Sequence, residues 1–199
     1  MHAIRTDCDS QPLTRPSATL SPSDGERDGV RGLIKFQTFA ASHMHTEWKR
    51  NNLIVTTDPA RQDVDAIHAF LTRAYWCEGI PHETVARAVR HSLCFGLFEG
   101  AAQVGFARVV TDYAVFAYLC DVYVLESHRG RGLGKWLIEC VMAHPQLQGL
   151  RRFNLATRDA HGLYTAYGFQ PLARPETHME RHKPDIYKTA AAGGQSAAQ

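Results

Sequence analysis

One stretch constrains this chain more than any other. Arg129-Gly130-Arg131-Gly132-Leu133-Gly134 stands between an apolar, β-rich run ending Asp121-Val122-Tyr123-Val124-Leu125 and a helical pattern that opens with Lys135-Trp136-Leu137. A strand, a glycine-rich turn and a helix start, in that order, bring unpaired backbone N–H groups and the positive end of a helix dipole to one point, which suits an anion. Gly130, Gly132 and Gly134 carry no Cβ to hold a phosphate off the main chain, and Arg129 and Arg131 add positive charge beside it. The helix is predicted from Leu133, Trp136, Leu137, Cys140 and Val141, whose spacing of three and four residues builds one apolar stripe. A phosphate-bearing ligand is the first expectation, set against the plainer reading of a basic turn between a strand and a helix.

Two common phosphate loops fail on the same residues. A P-loop needs Gly where Arg129 stands and Ser or Thr where Trp136 stands. A dinucleotide fingerprint needs Gly-x-Gly-x-x-Gly, whereas these glycines run Gly-x-Gly-x-Gly and no acidic residue ends a second strand about 20 residues on. NAD and FAD are thereby disfavoured.

The spacing of Arg129, Gly132 and Gly134 resembles the Gln/Arg-x-x-Gly-x-Gly/Ala pattern that follows the fourth strand in the GNAT superfamily of N-acetyltransferases. A second block, Ala160-His161-Gly162-Leu163-Tyr164-Thr165-Ala166-Tyr167-Gly168-Phe169, is similar to that superfamily's short helix carrying Leu-Tyr and ending in Gly-Phe. The resemblance runs from about Leu53 to Arg181.

Composition agrees with one catalytic domain: 199 residues, 44% hydrophobic and 21% charged. A formal charge of +2 provides no broad basic face, so nucleic acid is not an expected partner. The 11 histidines are scattered, and His43-Met44-His45 does not make a metal site, so no metal is expected. Cys8, Cys77, Cys94, Cys120 and Cys140 are odd in number and contain no Cys-x-x-Cys, which argues for reduced thiols and a cytoplasmic protein. No apolar run is long enough for a membrane span, and no signal-peptide core is present, so no membrane partner is expected. Residues 1–50 read as a disordered leader, with Met44 as an alternative start; residues 51–189 read as the acetyltransferase domain and 190–199 as a disordered tail.

Within the domain, strands are predicted over 53–57, 93–99, 103–111, 116–125 and 153–157. Helices are predicted from the Asp58-Pro59 start signal through Leu71, over 81–90, over 132–143 and over 160–167. The fold class is α/β, a mixed, mostly antiparallel central sheet with helices on both faces, as the resemblance also implies.

By the same resemblance, the co-substrate is acetyl-CoA. Its pyrophosphate would sit on Arg129, Gly130, Arg131, Gly132, Leu133 and Gly134, its pantetheine would pair with the backbone of Val122, Tyr123 and Val124, and Thr157 would contact it near the fifth strand. Tyr164 occupies the position of the family's catalytic Tyr, and a phenol of pKa ~10 stays protonated until the leaving thiolate needs its proton. Asp121 is either a second catalytic group that receives the amine's proton or a structural residue tied to the loop between the first two helices. Trp76 and Glu78, in Tyr75-Trp76-Cys77-Glu78, are read either as an amine-binding corner or as core and surface. The implied activity is acetyl transfer to a primary amine of a small molecule or peptide, and the alternative is a non-catalytic acyl-CoA-binding module. The resemblance also allows a homodimer.

Overall fold

The computed structural model describes residues 45–188. The tail expected over 190–199, and the leader expected over 1–50 as far as residue 44, lie outside the described residues. Six strands form one sheet in chain order: β1 Glu47–Arg50, β2 Leu53–Thr56, β3 Leu93–Glu99, β4 Ala102–Thr111, β5 Phe116–Val124 and β6 Arg152–Leu155. Neighbours pair antiparallel except β5 and β6, which are parallel. The exception follows from the connection: the helix α3 (Leu133–Met142) lies between them, and a parallel pair needs such a crossover. The remaining helices are α1 Val64–Leu71, α2 His82–Arg90 and α4 His161–Thr165.

β1 was not among the predicted strands, and it places the start of the sheet ahead of the expected domain boundary at residue 51. Its sequence hides it, because Glu47, Lys49 and Arg50 are charged and Trp48 alone is apolar. Trp48 packs on Phe95 at 6.0 Å between ring centroids and on His144 at 6.2 Å. Asn51, at φ 55°, turns the chain into β2, a conformation that Asn tolerates. Asp58-Pro59 opens a 3₁₀ turn over Pro59–Arg61 instead of α1, whose start is capped by Asp63 accepting from Ala66 N–H at 2.9 Å.

Two apolar clusters hold the helices to opposite faces of the sheet. Leu133, Trp136, Leu137, Cys140 and Val141 of α3 are buried as their spacing predicts, and they pack with Tyr164 of α4 on Phe95, Leu97, Val109 and Leu119. On the other face, Ile67, Leu71 and Val85 from α1 and α2 pack with Phe106 and Tyr123. Strand alternation explains the division: on β3, Phe95 and Leu97 belong to the first cluster and Cys94 to the second.

Candidate active site

β5 is paired with β4 on one side except at a bulge, and on the other side only in part. Phe116 to Leu119 pair with Arg152 to Leu155 of β6, and there β6 ends while β5 runs on to Val124. The two strands part beyond Leu119, so residues 120–124, which include Val122, Tyr123 and Val124, face no neighbouring strand on that side among the described residues. The Val124 carbonyl accepts from Arg129 Nε at 3.2 Å and keeps its second lone pair.

The parting strand also changes face. Ala117 and Leu119 lie in the cluster under α3, whereas Asp121 lines a cavity beneath α1 and α2 and Tyr123 belongs to the cluster there. Residues two apart in an unbroken strand share a face, so the strand must be interrupted. The β4–β5 register steps from Arg108↔Cys120 to Phe106↔Tyr123, setting Asp121 and Val122 against the single residue Ala107. This bulge, with Asp121 at φ 53°, turns the Asp121 carboxylate from the α3 face to the α1/α2 face.

The glycine-rich turn follows directly. Gly130 and Gly132 adopt φ of 76° and 74°, left-handed values that favour glycine, and Gly132 occupies the N-cap of α3 with no side-chain cap. Gly134 needs no unusual angle, but nothing lies within 4 Å of where its Cβ would be, so the space over the first turn of α3 is open. The N–H groups of Leu133 and Gly134 precede the first intrahelical bond, which runs from Trp136 N–H to the Gly132 carbonyl at 3.1 Å. Arg131, expected to add charge to this turn, is held in a two-pronged pair with Glu99 at 2.9 and 3.1 Å. Glu99 also meets Asn52 Nδ2 at 2.9 Å and His128 Nε2 at 3.0 Å. The hydrogen bonds from Arg131 and then Asn52 hold the Glu99 carboxyl at about 2, well below the usual carboxylate range.

Tyr164 is buried on α4, edge-on to Phe169 at 6.0 Å, and its hydroxyl bonds no group among the described residues. Burial raises its pKa, with the nearby Tyr75 and Asp159 adding to the shift. The neighbouring Tyr167 instead has its hydroxyl tied to the Lys135 carbonyl at 3.0 Å and to Glu139 at 3.3 Å, a packing role. Thr157 Oγ1 accepts from Ala160 N–H at 3.1 Å and so sets the approach to α4.

On the α1/α2 face, Asp121 Oδ2 accepts from Arg108 Nε at 2.7 Å and Oδ1 from Trp76 Nε1 at 3.2 Å. Trp76 lies in the loop between α1 and α2 and meets Tyr75 edge-on at 5.0 Å, with the Arg158 guanidinium 3.7 Å over the Tyr75 ring. Trp76 and Asp121 are thus brought together. Glu78 is not part of that group: it is largely exposed and pairs with Lys188 at 3.4 Å, anchoring the segment over 182–187 that forms the outer wall of the cavity. Arg108 was not anticipated. The available signal was a lone charge within an apolar strand, which must find a partner when buried.

Fold and site together define an acyltransferase of the GNAT type. Residues 90–171 match the family model described as "Acetyltransferase (GNAT) domain". A candidate acetyltransferase of Gibberella zeae is 36% identical over 140 residues, which is 59% of this chain and 78% of that one. The crystal structure of a candidate GNAT acetyltransferase from Xanthomonas campestris pv. campestris is 54% identical, with a TM-score of 0.68, covering 70% of this chain and 99% of that chain. A candidate acetyltransferase from Deinococcus radiodurans shares the fold at 18% identity, with a TM-score of 0.56 over 71% of this chain and 96% of its own. The chain belongs to the GNAT acetyltransferase family. Among the described residues no cluster of His, Cys, Asp and Glu could hold a metal, and no helix is long and apolar enough to cross a membrane.

Proposed function

We propose that this protein moves an acetyl group from acetyl-CoA to a primary amine by direct transfer in a ternary complex. The observation that carries the reading is the unpaired edge of β5 over residues 120–124, which opens beside a turn with two left-handed glycines and an uncapped helix N-terminus. An extended arm bearing amides can add to that edge as a strand would, while the amides of Leu133 and Gly134, with Arg129, hold its diphosphate. The main chain at the bulge then supplies an N–H for the oxyanion formed when the thioester carbonyl is attacked.

Attack requires a neutral amine, and an amine of pKa ~10.4 is almost entirely protonated at neutral pH. One proton goes to solvent as the amine is desolvated. Nitrogen then bonds the acetyl carbon and the carbon–sulfur bond breaks. The departing thiolate takes the Tyr164 phenol proton, which burial keeps in place until then. The surplus proton on nitrogen leaves through a free lone pair of Asp121 and water, and water restores Tyr164. We assign Trp76 to holding Asp121 in place and Thr157 to shaping the start of α4. We assign the reaction to the cytoplasm, where acetyl-CoA is available and Cys77, Cys94, Cys120 and Cys140, all free thiols here, stay reduced.

Calorimetry with CoA and a thiol-release assay against an amine panel test this. Tyr164→Phe should lower kcat about 10²- to 10⁴-fold, the range for a general acid, with CoA affinity retained. CoA uptake without turnover in either form would make the chain an acyl-CoA-binding module, and absence of CoA uptake at millimolar concentration would remove both readings.

A further inference from the structure

The cavity beneath α1 and α2 narrows the choice of acceptor, an inference that rests on the acetyltransferase reading above. It has a volume of about 250 Å³ and is apolar where Leu71, Ile80, Val85, Val89 and Phe106 line it. Opposite charges meet in its wall at Arg108 and Asp121, whose side chains are 18% and 12% exposed, and His182 and Lys183 line it from the segment over 182–187. Arg108 spends Nε on Asp121 and Nη1 on Ser92 Oγ at 3.1 Å, and its Nη2 donates to no described residue. A guanidinium has five N–H donors and a carboxylate about four lone-pair sites, so both partners keep unused capacity at the wall of the cavity.

We propose that this cavity takes a free α-amino acid with an apolar side chain as the acetyl acceptor, its amino nitrogen at Asp121, its carboxylate at Arg108 and its side chain among the apolar residues. An α-amino acid carries an amine and a carboxylate one carbon apart, which matches a carboxylate and a guanidinium in direct contact. A polyamine fits poorly, because its second ammonium would meet Arg108 or the apolar wall. A peptide N-terminus has no carboxylate at that position and would have to continue through the wall formed by residues 182–187. Bond making and proton movement are those of the transfer above, and the amino acid leaves as its N-acetyl derivative with its carboxylate unchanged.

The test uses the full chain and thiol release. L-leucine, L-phenylalanine and L-methionine are compared with isopentylamine, phenethylamine and 3-(methylthio)propylamine, which lack only the carboxylate. The amino acids should show kcat/KM roughly 10- to 100-fold higher, the worth of a hydrogen-bonded charge. Arg108→Lys should raise the amino-acid KM by a similar factor and leave CoA affinity by calorimetry unchanged. Ala88→Phe, which fills the cavity and spares the ion pair, should do the same should the lysine variant fail to fold. Equal use of the bare amines, or an unmoved amino-acid KM in the folded variants, overturns the proposal and leaves the acetyltransferase reading intact. Failure of the wild-type chain to take up CoA overturns that reading, and this proposal with it.

Discussion

Glu99 shows how one carboxylate can organise a turn to which it does not belong. It lies at the end of β3, yet it fixes Arg131 of the glycine-rich turn, the adjacent His128 and Asn52 of the β1–β2 hairpin. Because its folded pKa is depressed to about 2, its contribution to stability is complete above the ordinary glutamate range and is lost as pH falls through the folded value. In thermal melts, the deficit of Glu99→Gln relative to wild type should therefore be largest above pH ~4.5 and should close as pH approaches about 2. A deficit that stays constant over that range would remove Arg131 and Asn52 as the cause. What lies within one sequence block was legible: Gly130 and Gly132 stand between a strand pattern and a helical stripe, and the structure makes a turn there with α3 starting at Gly132. Arg108 was not, since its partner Asp121 lies 13 residues away on another strand and faces Arg108 only because of a bulge that leaves no mark in the alternation. Asp121 itself pays about 1–3 kcal/mol for a left-handed backbone. Its bonds to Arg108 and Trp76 hold it there.

At the scale of elements, the predictable parts are those with strong periodicity. α3 was readable from the three- and four-residue spacing of its apolar stripe, all of which is buried, and α2 because Pro81 stands at its start and Glu83 in its first turn, in agreement with the helix dipole. β1 escaped because an edge strand of largely charged residues carries no alternation, and its stability comes from contacts distant in sequence. Trp48 supplies them, covering Phe95 and the buried His144. Trp48→Ala should lower the unfolding free energy by about 2–3 kcal/mol, below the usual Trp→Ala loss because the ring is only half-buried. Urea unfolding measures this. A loss under about 0.5 kcal/mol would mean that β1 is an ornament on a sheet beginning at β2.

At the scale of the whole molecule, the sheet separates two tasks, and the bulge in β5 is the place where they meet. One side carries α3, which the glycine-rich turn opens, and the α1/α2 side carries the cavity with Arg108 and Asp121, while Arg129 of the turn lies near Phe70 and Ala74. The second side is incomplete without residues 182–187, which the sequence pattern of the domain did not mark as part of a site. Tyr187 packs against the cluster of Ile80 and Val85 and lines the cavity, while Lys188 reaches Glu78 at 3.4 Å. These two attachments differ in weight. The Lys188–Glu78 pair is more than half exposed on both sides, where water screens the attraction and little stability comes of it, so Glu78→Gln should change the acceptor KM less than about fivefold. Tyr187 contributes buried ring area, so Tyr187→Ala should loosen the wall and raise the acceptor KM about tenfold or more, with CoA affinity unchanged because none of residues 129–134 lines the cavity that Tyr187 bounds. Measured side by side, the two variants decide how the wall is held: a larger effect from Glu78→Gln would make the carboxylate a direct partner of the amine, and the reverse order makes packing at Tyr187 the feature that bounds the acceptor.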